Sequence, residues 1–410
     1  MTIGLDLDFI RAQYPAPRWE APFFENAGGA FVPKTVIKRM SSYMTEAQVQ
    51  TGYPFATSAE ASKRVEQGQS CVAELIGAEF DEIVLGASTS MNIYVLAQAL
   101  RPLWKAGDEI VVSTANHESN SGPWRRLAEF GIKIVDWPVD PDTGALCIDR
   151  LQELLTSRTR LVAFPQVSNI TGDINDVETI TSLCHNAGAM VCVDGVAFAP
   201  HRAVDVKKWN VDFYLFSFYK VFGPHLGLMY CRRDRMLEAK GQYHYFFPED
   251  DLAHKLNPAG PNHETIACLT GITDYLELAY KHHKLGNNSS LHSRMTTLFQ
   301  LFAEHEQRLA ERFLDFLLSE SSVRLIGTSE SSLAARVPTF SFQIKGVPSS
   351  QVAEKLGQAS VYCGSGHFYA KRLLDSMNLD EPEVVRCSMA HYTSLQDVDR
   401  LVDELRRQLN

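Results

Sequence analysis

The chain has 410 residues, about two to three times a usual single domain, with 45% hydrophobic and 21% charged residues. That ordinary globular balance excludes intrinsic disorder, a fibrous repeat and a small disulfide-stapled scaffold. The formal charge is −10, with 39 basic against 49 acidic residues and no block of Lys or Arg, which argues against a general grip on nucleic acid or anionic membrane.

Residues 1–20 form a polar entry segment without the basic stretch and apolar run of a secretion signal. Short apolar, β-branched runs then recur at Glu82–Gly86, Glu109–Ser113, Ile132–Trp137, Arg160–Phe164, Met190–Asp194, Phe213–Ser217 and Leu226–Cys231. Helical spacing fills most of the gaps, as in Ser90–Leu100, Asn120–Phe130, Ile148–Leu155 and Val177–Ala187. Apolar strands separated by amphipathic helices predict an α/β fold with a mostly parallel sheet covered on both faces. The last two runs are only eight residues apart, too few for a crossover helix, so one antiparallel strand is expected there.

From about Lys281 the pattern changes. A long helical tract, Ser293–Ser319, leads to strands near Thr339–Lys345, Ser360–Cys363 and Val384–Ser388. In the last helix Ser394 and Asp397 have the spacing of reciprocal caps, ahead of a stripe of Val398, Leu401, Val402, Leu405 and Leu409. The expected organisation is a large domain over 21–280 and a smaller α+β domain over 281–410, with residues 1–20 packed on the smaller one. No apolar run approaches the roughly 18 residues of a membrane span. Eight cysteines stand singly with no C-x-x-C pair, the pattern of reduced thiols in a cytoplasmic protein, and no metal site is expected. Lys281-His282-His283-Lys284 reads as a solvated helix end rather than a metal tract.

The chemistry sits around one lysine. The run Phe213–Ser217 leads directly into Phe218-Tyr219-Lys220-Val221-Phe222-Gly223-Pro224, and Met190–Val193 ends in Asp194-Gly195. In α/β sheets the functional crevice lies at the carboxyl ends of the strands, where both Lys220 and Asp194 fall. Such a pair suits pyridoxal phosphate, with the lysine linked to the aldehyde carbon and the carboxylate on the pyridine nitrogen; a structural salt bridge gives the same letters. Gly86-Ala87-Ser88-Thr89-Ser90-Met91-Asn92 follows a strand and opens a helix, offering hydroxyls and backbone N–H groups to a phosphate. An ordinary helix cap at Ser88 or Thr89 is the plainer alternative. The nucleotide-binding glycine fingerprints are absent.

In order, these motifs resemble the class V aminotransferase family of fold-type I pyridoxal phosphate enzymes, and its cysteine desulfurase and selenocysteine lyase branch in particular. The resemblance spans roughly Phe24 to Leu405. It is carried by Glu25-Asn26-Ala27-Gly28-Gly29, Gly86 to Asn92, His117-Glu118-Ser119-Asn120, Val167-Ser168-Asn169, Val193-Asp194-Gly195, Ser217 to Pro224 and Val385-Arg386-Cys387-Ser388. It implies a large domain built on a mostly parallel seven-stranded sheet and a smaller C-terminal α+β domain.

The resemblance further implies that Lys220 carries pyridoxal 5'-phosphate covalently and, once released, moves the Cα proton. Asp194 would pair with the pyridine nitrogen, His117 stack on the ring and Asn169 bond its phenolic oxygen. Ala87, Ser88 and Ser217 would cradle the phosphate, with Ala197 and Tyr219 at neighbouring cofactor positions. Arg386 would fork onto the substrate carboxylate, beside Ala27, Gly28 and His367. A homodimer is implied, with Gly260-Pro261-Asn262 reaching the partner's phosphate site.

The departures are specific. Ala197 stands where the family has Gln, and Tyr219 where it has His. Aligning Gly366-His367 with the loop that carries the desulfurase cysteine puts Tyr369 at the cysteine position and Gly364 at a usual arginine. Cys363 reads as a buried structural thiol. Elimination from Cβ of an amino acid, as in a C–S lyase lacking a loop cysteine, is the leading expectation. Epimerisation, transamination and a biosynthetic step of specialised metabolism are the alternatives, and a cofactor-binding scaffold is the non-enzymatic one. Epimerisation needs a second acid or base, for which Tyr243, His244, Tyr245, His367 and Tyr369 are candidates.

Overall fold

The computed structural model describes residues 4–15 and 19–409. Seven strands build the larger sheet: β1 (Ile83–Gly86), β2 (Glu109–Ser113), β3 (Lys133–Trp137), β4 (Thr159–Pro165), β5 (Met190–Asp194), β6 (Phe213–Ser217) and β7 (Gly227–Cys231). Four build the smaller: β8 (Val323–Ile326), β9 (Thr339–Ile344), β10 (Gly364–Gly366) and β11 (Val384–Ser388).

The larger sheet has the order β1-β7-β6-β5-β4-β2-β3. Its pairings from β3 through β6 are parallel, while β7 is antiparallel to both β6 and β1. The antiparallel strand expected from the short connection is therefore β7. Every residue of β2, β5, β6 and β7 is buried, because helices cover both faces. The period of two divides the side chains between two cores. Val111, Val162, Val191 and Val193 enter one; Ile110, Val112, Ala163 and Cys192 enter the other.

The smaller sheet, ordered β10-β11-β9-β8, is antiparallel throughout. Phe340 and Phe342 of β9 share a core with Phe313 and Phe316 of the helix Leu291–Ser319 and with Val398, Leu401 and Leu405 of the helix Leu395–Leu409. That last helix starts as its spacing predicts: Asp397 N donates to Ser394 Oγ at 3.0 Å and Ser394 N to Asp397 Oδ2 at 2.8 Å.

Three local readings need correction. The helix expected over Asn120–Phe130 breaks into 3₁₀ turns at Glu118–Asn120 and Arg126–Phe130 around a single turn at Gly122–Arg125, where Pro123 removes a donor from any continuous ladder. The strand expected at Ser360–Cys363 forms instead as Gly364–Gly366, held by backbone pairing to β11. The run 281–284 is the exposed helix end expected at Lys281, His282 and Lys284, and the reading fails only at His283, which is buried. Asp6 N donates to His283 Nε2 at 2.9 Å, and Phe9 stacks on His282 with ring centroids 3.6 Å apart. Farther along the entry segment Arg11 Nε donates to Tyr392 O at 2.9 Å, and the guanidinium pairs with Asp397. Among the described residues no helix is long and apolar enough to cross a membrane.

Candidate active site

The C-terminal ends of β4, β5 and β6 and the turn after β1 surround a cleft of about 520 Å³, which opens outward past Glu25, Tyr94, Tyr369 and Arg386 of β11. Asp194 ends β5 and Ser217 ends β6. The chain then folds back on itself: Lys220 N donates to Ser217 O, and the amides of Val221 and Gly223 donate to Phe218 O. Phe222 takes a positive φ of 59° inside this turn, packed on His391 and Tyr275. The tight turn turns Lys220 inward, so only 7% of its surface is exposed.

Lys220 forms no hydrogen bond or ion pair with a carboxylate among the described residues, so a Lys220–Asp194 salt bridge is not what fixes this pair. Burial pushes the Lys220 amine down to about 8, helped by the Arg386 charge and opposed by Asp194 and Glu25. Asp194 accepts one hydrogen bond, from Val196 N at 2.9 Å, and burial raises its carboxyl above the usual carboxylate range. His117 is pushed down to about 3 by burial first, then by Lys220 and Arg386, so its imidazole is neutral at pH 7. Its Nδ1 accepts from Ser119 N at 3.1 Å, and its ring lies 5.3 Å from that of Tyr369.

At the other end of the cleft the helix Thr89–Leu100 points its N-terminus inward. Ser88 is its cap, accepting from Met91 N at 3.2 Å, and it also lines the cleft, so both of its expected roles meet in one residue. Thr89 Oγ1 and Ser217 Oγ share a hydrogen bond of 2.7 Å. β7 runs directly behind this turn. A Cβ on Gly227 would stand 2.4 Å from the Ser88 carbonyl carbon, so glycine is what lets the strand and the helix start meet. Ala87 is exposed and outside the lining, whereas Ala197 and Tyr219 line the cleft.

At the outer opening, Arg386 Nη1 donates to Asn169 O at 3.2 Å, and its Nη2 donates to Glu25 Oε1 at 2.5 Å. Burial lowers the arginine from its ordinary value while Glu25 opposes the shift. Asn169 Nδ2 donates to Phe368 O at 2.9 Å, and the Phe368 ring lies 3.8 Å from the centre of the Arg386 guanidinium. Ala27 N donates to Ser388 Oγ at 2.7 Å, and Ala27 and Gly28 line the opening with Arg386.

Other expected residues fall elsewhere. His367 is exposed and outside both linings, its Nδ1 accepting from Tyr369 N at 3.2 Å; Phe368 and Tyr369 face the opening instead. Gly260 and Asn262 are exposed and away from this chain's cleft, with Asn262 capping a short helix by accepting from Thr265 N. Tyr243, His244 and Tyr245 lie outside the lining, in an aromatic run that packs largely on itself. No cysteine lines the cleft. Sequence reasoning assigned no role to Glu25 or Phe368. Glu25 lay in a quoted motif without a role, and nothing in the letters distinguishes Phe368 from core.

The donors present match what pyridoxal phosphate demands. A buried amine lacks a carboxylate partner, a buried carboxylate has one hydrogen bond, an imidazole is held neutral, and hydroxyls gather at a helix N-terminus.

The comparisons with known proteins define the class. The family model described as aminotransferase class-V matches residues 22–244 and 286–401, and the chain belongs to that family of pyridoxal phosphate enzymes, which hold the cofactor on a lysine. Within it the chain falls in the cysteine desulfurase-like branch. It is 36% identical to the aminotransferase-like protein FGM3 of Gibberella zeae, over 97% of each chain. It is 34% identical to part of the nonribosomal peptide synthetase-like enzyme fsqF of Aspergillus fumigatus, covering 97% of this chain and 26% of that protein. The solved cysteine desulfurase CsdA of Escherichia coli superposes with a TM-score of 0.83 at 26% identity, over 99% of this chain and 98% of the other.

Proposed function

We propose that this enzyme removes the Cα proton of a free α-amino acid and expels a substituent from Cβ, a sulfur leaving group first among them, without any thiol of its own. The observation that carries the reading is the lining of the cleft: Tyr369 stands in the loop over the site, and no cysteine reaches it. A persulfide route needs a nucleophilic thiolate at that place, and Cys387 is buried with its thiol pushed up by burial and by Cys363 beside it.

Each residue has a task within its own reach. Arg386 binds and orients the α-carboxylate. Lys220 Nζ is the covalent anchor and, when free, receives the Cα proton; an amine poised near 8 exchanges a proton readily at neutral pH. Asp194 would hold the ring nitrogen, neutral His117 would stack on the ring, and Asn169 would reach the phenolic oxygen. Ser88, Thr89, Ser217 and Tyr219 would hold the phosphate, while Phe368 and Tyr369 shield the opening from water. Bound pyridoxal phosphate supplies the electron sink that makes the Cα–H acidic. A homodimer in which Gly260 and Asn262 reach the partner's phosphate site completes the reading, and light scattering on the purified protein tests its mass.

Product analysis tests the reaction. With L-cysteine, elimination yields sulfide, pyruvate and ammonia; sulfide with alanine requires a sulfur-accepting thiol and contradicts the reading. The two fungal relatives favour a second reading, in which the same Cα chemistry serves a specialised amino acid. That version predicts exchange of the Cα hydrogen with deuterated water for a substrate other than cysteine, and loss of the exchange in Lys220→Ala.

A further inference from the structure

Arg386 is covered rather than presented. Its side chain is 3% exposed, with the Phe368 ring on its face, Glu25 on Nη2 and the Asn169 carbonyl on Nη1. Its Nε and the second Glu25 oxygen, Oε2, are both buried without a hydrogen-bond partner among the described residues. A guanidinium grips a carboxylate best through two parallel N–H donors. Here Glu25 Oε1 takes one Nη2 proton, the Asn169 carbonyl takes one Nη1 proton, and Nε stays idle, so the arginine is already engaged by a single carboxylate oxygen before any substrate arrives.

The Glu25 carboxylate also has a place made for it. Its backbone bridges to Ser388 at the end of β11, which sets it beside Arg386. A Cβ on Gly28 would stand 2.5 Å from Glu25 Oε1, and one on Gly364 would stand 3.1 Å from Oε2. Neither glycine has a positive φ, so the space they leave is what the carboxylate uses.

We propose that Glu25 determines specificity at this site as a built-in competitor, its carboxylate holding Arg386 until the α-carboxylate of a free amino acid displaces it. The inference rests on the assignment of Arg386 to the substrate carboxylate. Its chemical consequence is selection by charge. A carboxylate repays the arginine for losing Glu25, whereas an amide, an ester or a peptide-linked residue leaves a buried charge uncompensated. The acceptable class is therefore free amino acids, not their carboxyl-blocked derivatives.

The test is calorimetric titration of the cofactor-loaded enzyme with propionate and with propionamide, in wild type, Glu25→Gln and Arg386→Gln. Glutamine keeps the shape of Glu25 and weakens its hold on Nη2, so Glu25→Gln is expected to bind propionate about tenfold tighter, with a parallel fall in KM for the amino acid. A damaged fold cannot mimic such a gain. Propionate binding in Glu25→Gln that is unchanged or weaker overturns the proposal and makes Glu25 a fixed support for the arginine. Arg386→Gln separates the two layers. If it loses propionate while Glu25→Gln gains nothing, only the competitor role falls; if it binds propionate as wild type does, the Arg386 assignment falls as well.

Discussion

Lys220 takes its reactivity from where the chain puts it. Because burial and Arg386 together lower its amine to about 8, the neutral nucleophilic form is a minority at pH 7 and dominates above about 8. The sign follows directly: stripped protein should capture added pyridoxal phosphate about tenfold faster at pH 9 than at pH 7, read from the rate of absorbance change. Arg386→Gln removes one of the depressing charges and should move that profile to higher pH; a profile that stays in place would show that the two groups are not electrostatically linked. At this scale the letters were informative where chemistry is rare, as at Lys220, Asp194 and His117. They were silent where a common residue acquires its role from packing: Glu25 and Phe368 matter only because β11 brings Arg386 between them.

At the scale of elements, strands buried on both faces read clearly, since unbroken apolar runs have few other uses. β10 did not, because Gly-Ser-Gly has no apolar signal and exists as a strand only through its backbone pairing to β11. Two elements bear directly on the site and on stability. Gly227→Ala should push β7 against the Ser88 carbonyl, costing about 1–3 kcal/mol in denaturant unfolding and weakening cofactor retention on dialysis. Ser394→Ala removes the cap of the last helix and should cost about 1 kcal/mol with cofactor binding intact. Equal loss of cofactor in both variants would mean that the helix start at Ser88 has no special part in holding it.

For the molecule as a whole, the site depends on the smaller sheet being held against the larger. Arg386 comes from β11, while Lys220 and Asp194 come from the ends of β6 and β5. Arg336 joins the two sides from a fully buried position, donating to the carbonyls of Thr171 and Thr339, at 3.0 and 2.7 Å, and to that of Thr328. Arg336→Leu strands two buried acceptors and one part-buried acceptor and should cost about 3 kcal/mol; it should also raise KM through the Asn169–Arg386 contact. The α/β alternation made the larger sheet legible from periodicity alone. How the sheets meet was not, because long-range partners such as Arg336 and Thr171 leave no local pattern.

The most direct test of the central claim is to reduce the lysine–cofactor linkage of the loaded enzyme with borohydride, digest the protein and map the modified peptide by mass spectrometry. The expected result is pyridoxal phosphate fixed on Lys220 alone and no fixation in Lys220→Ala. Fixation on another lysine, or loaded protein that cannot be fixed at all, would contradict the site described here.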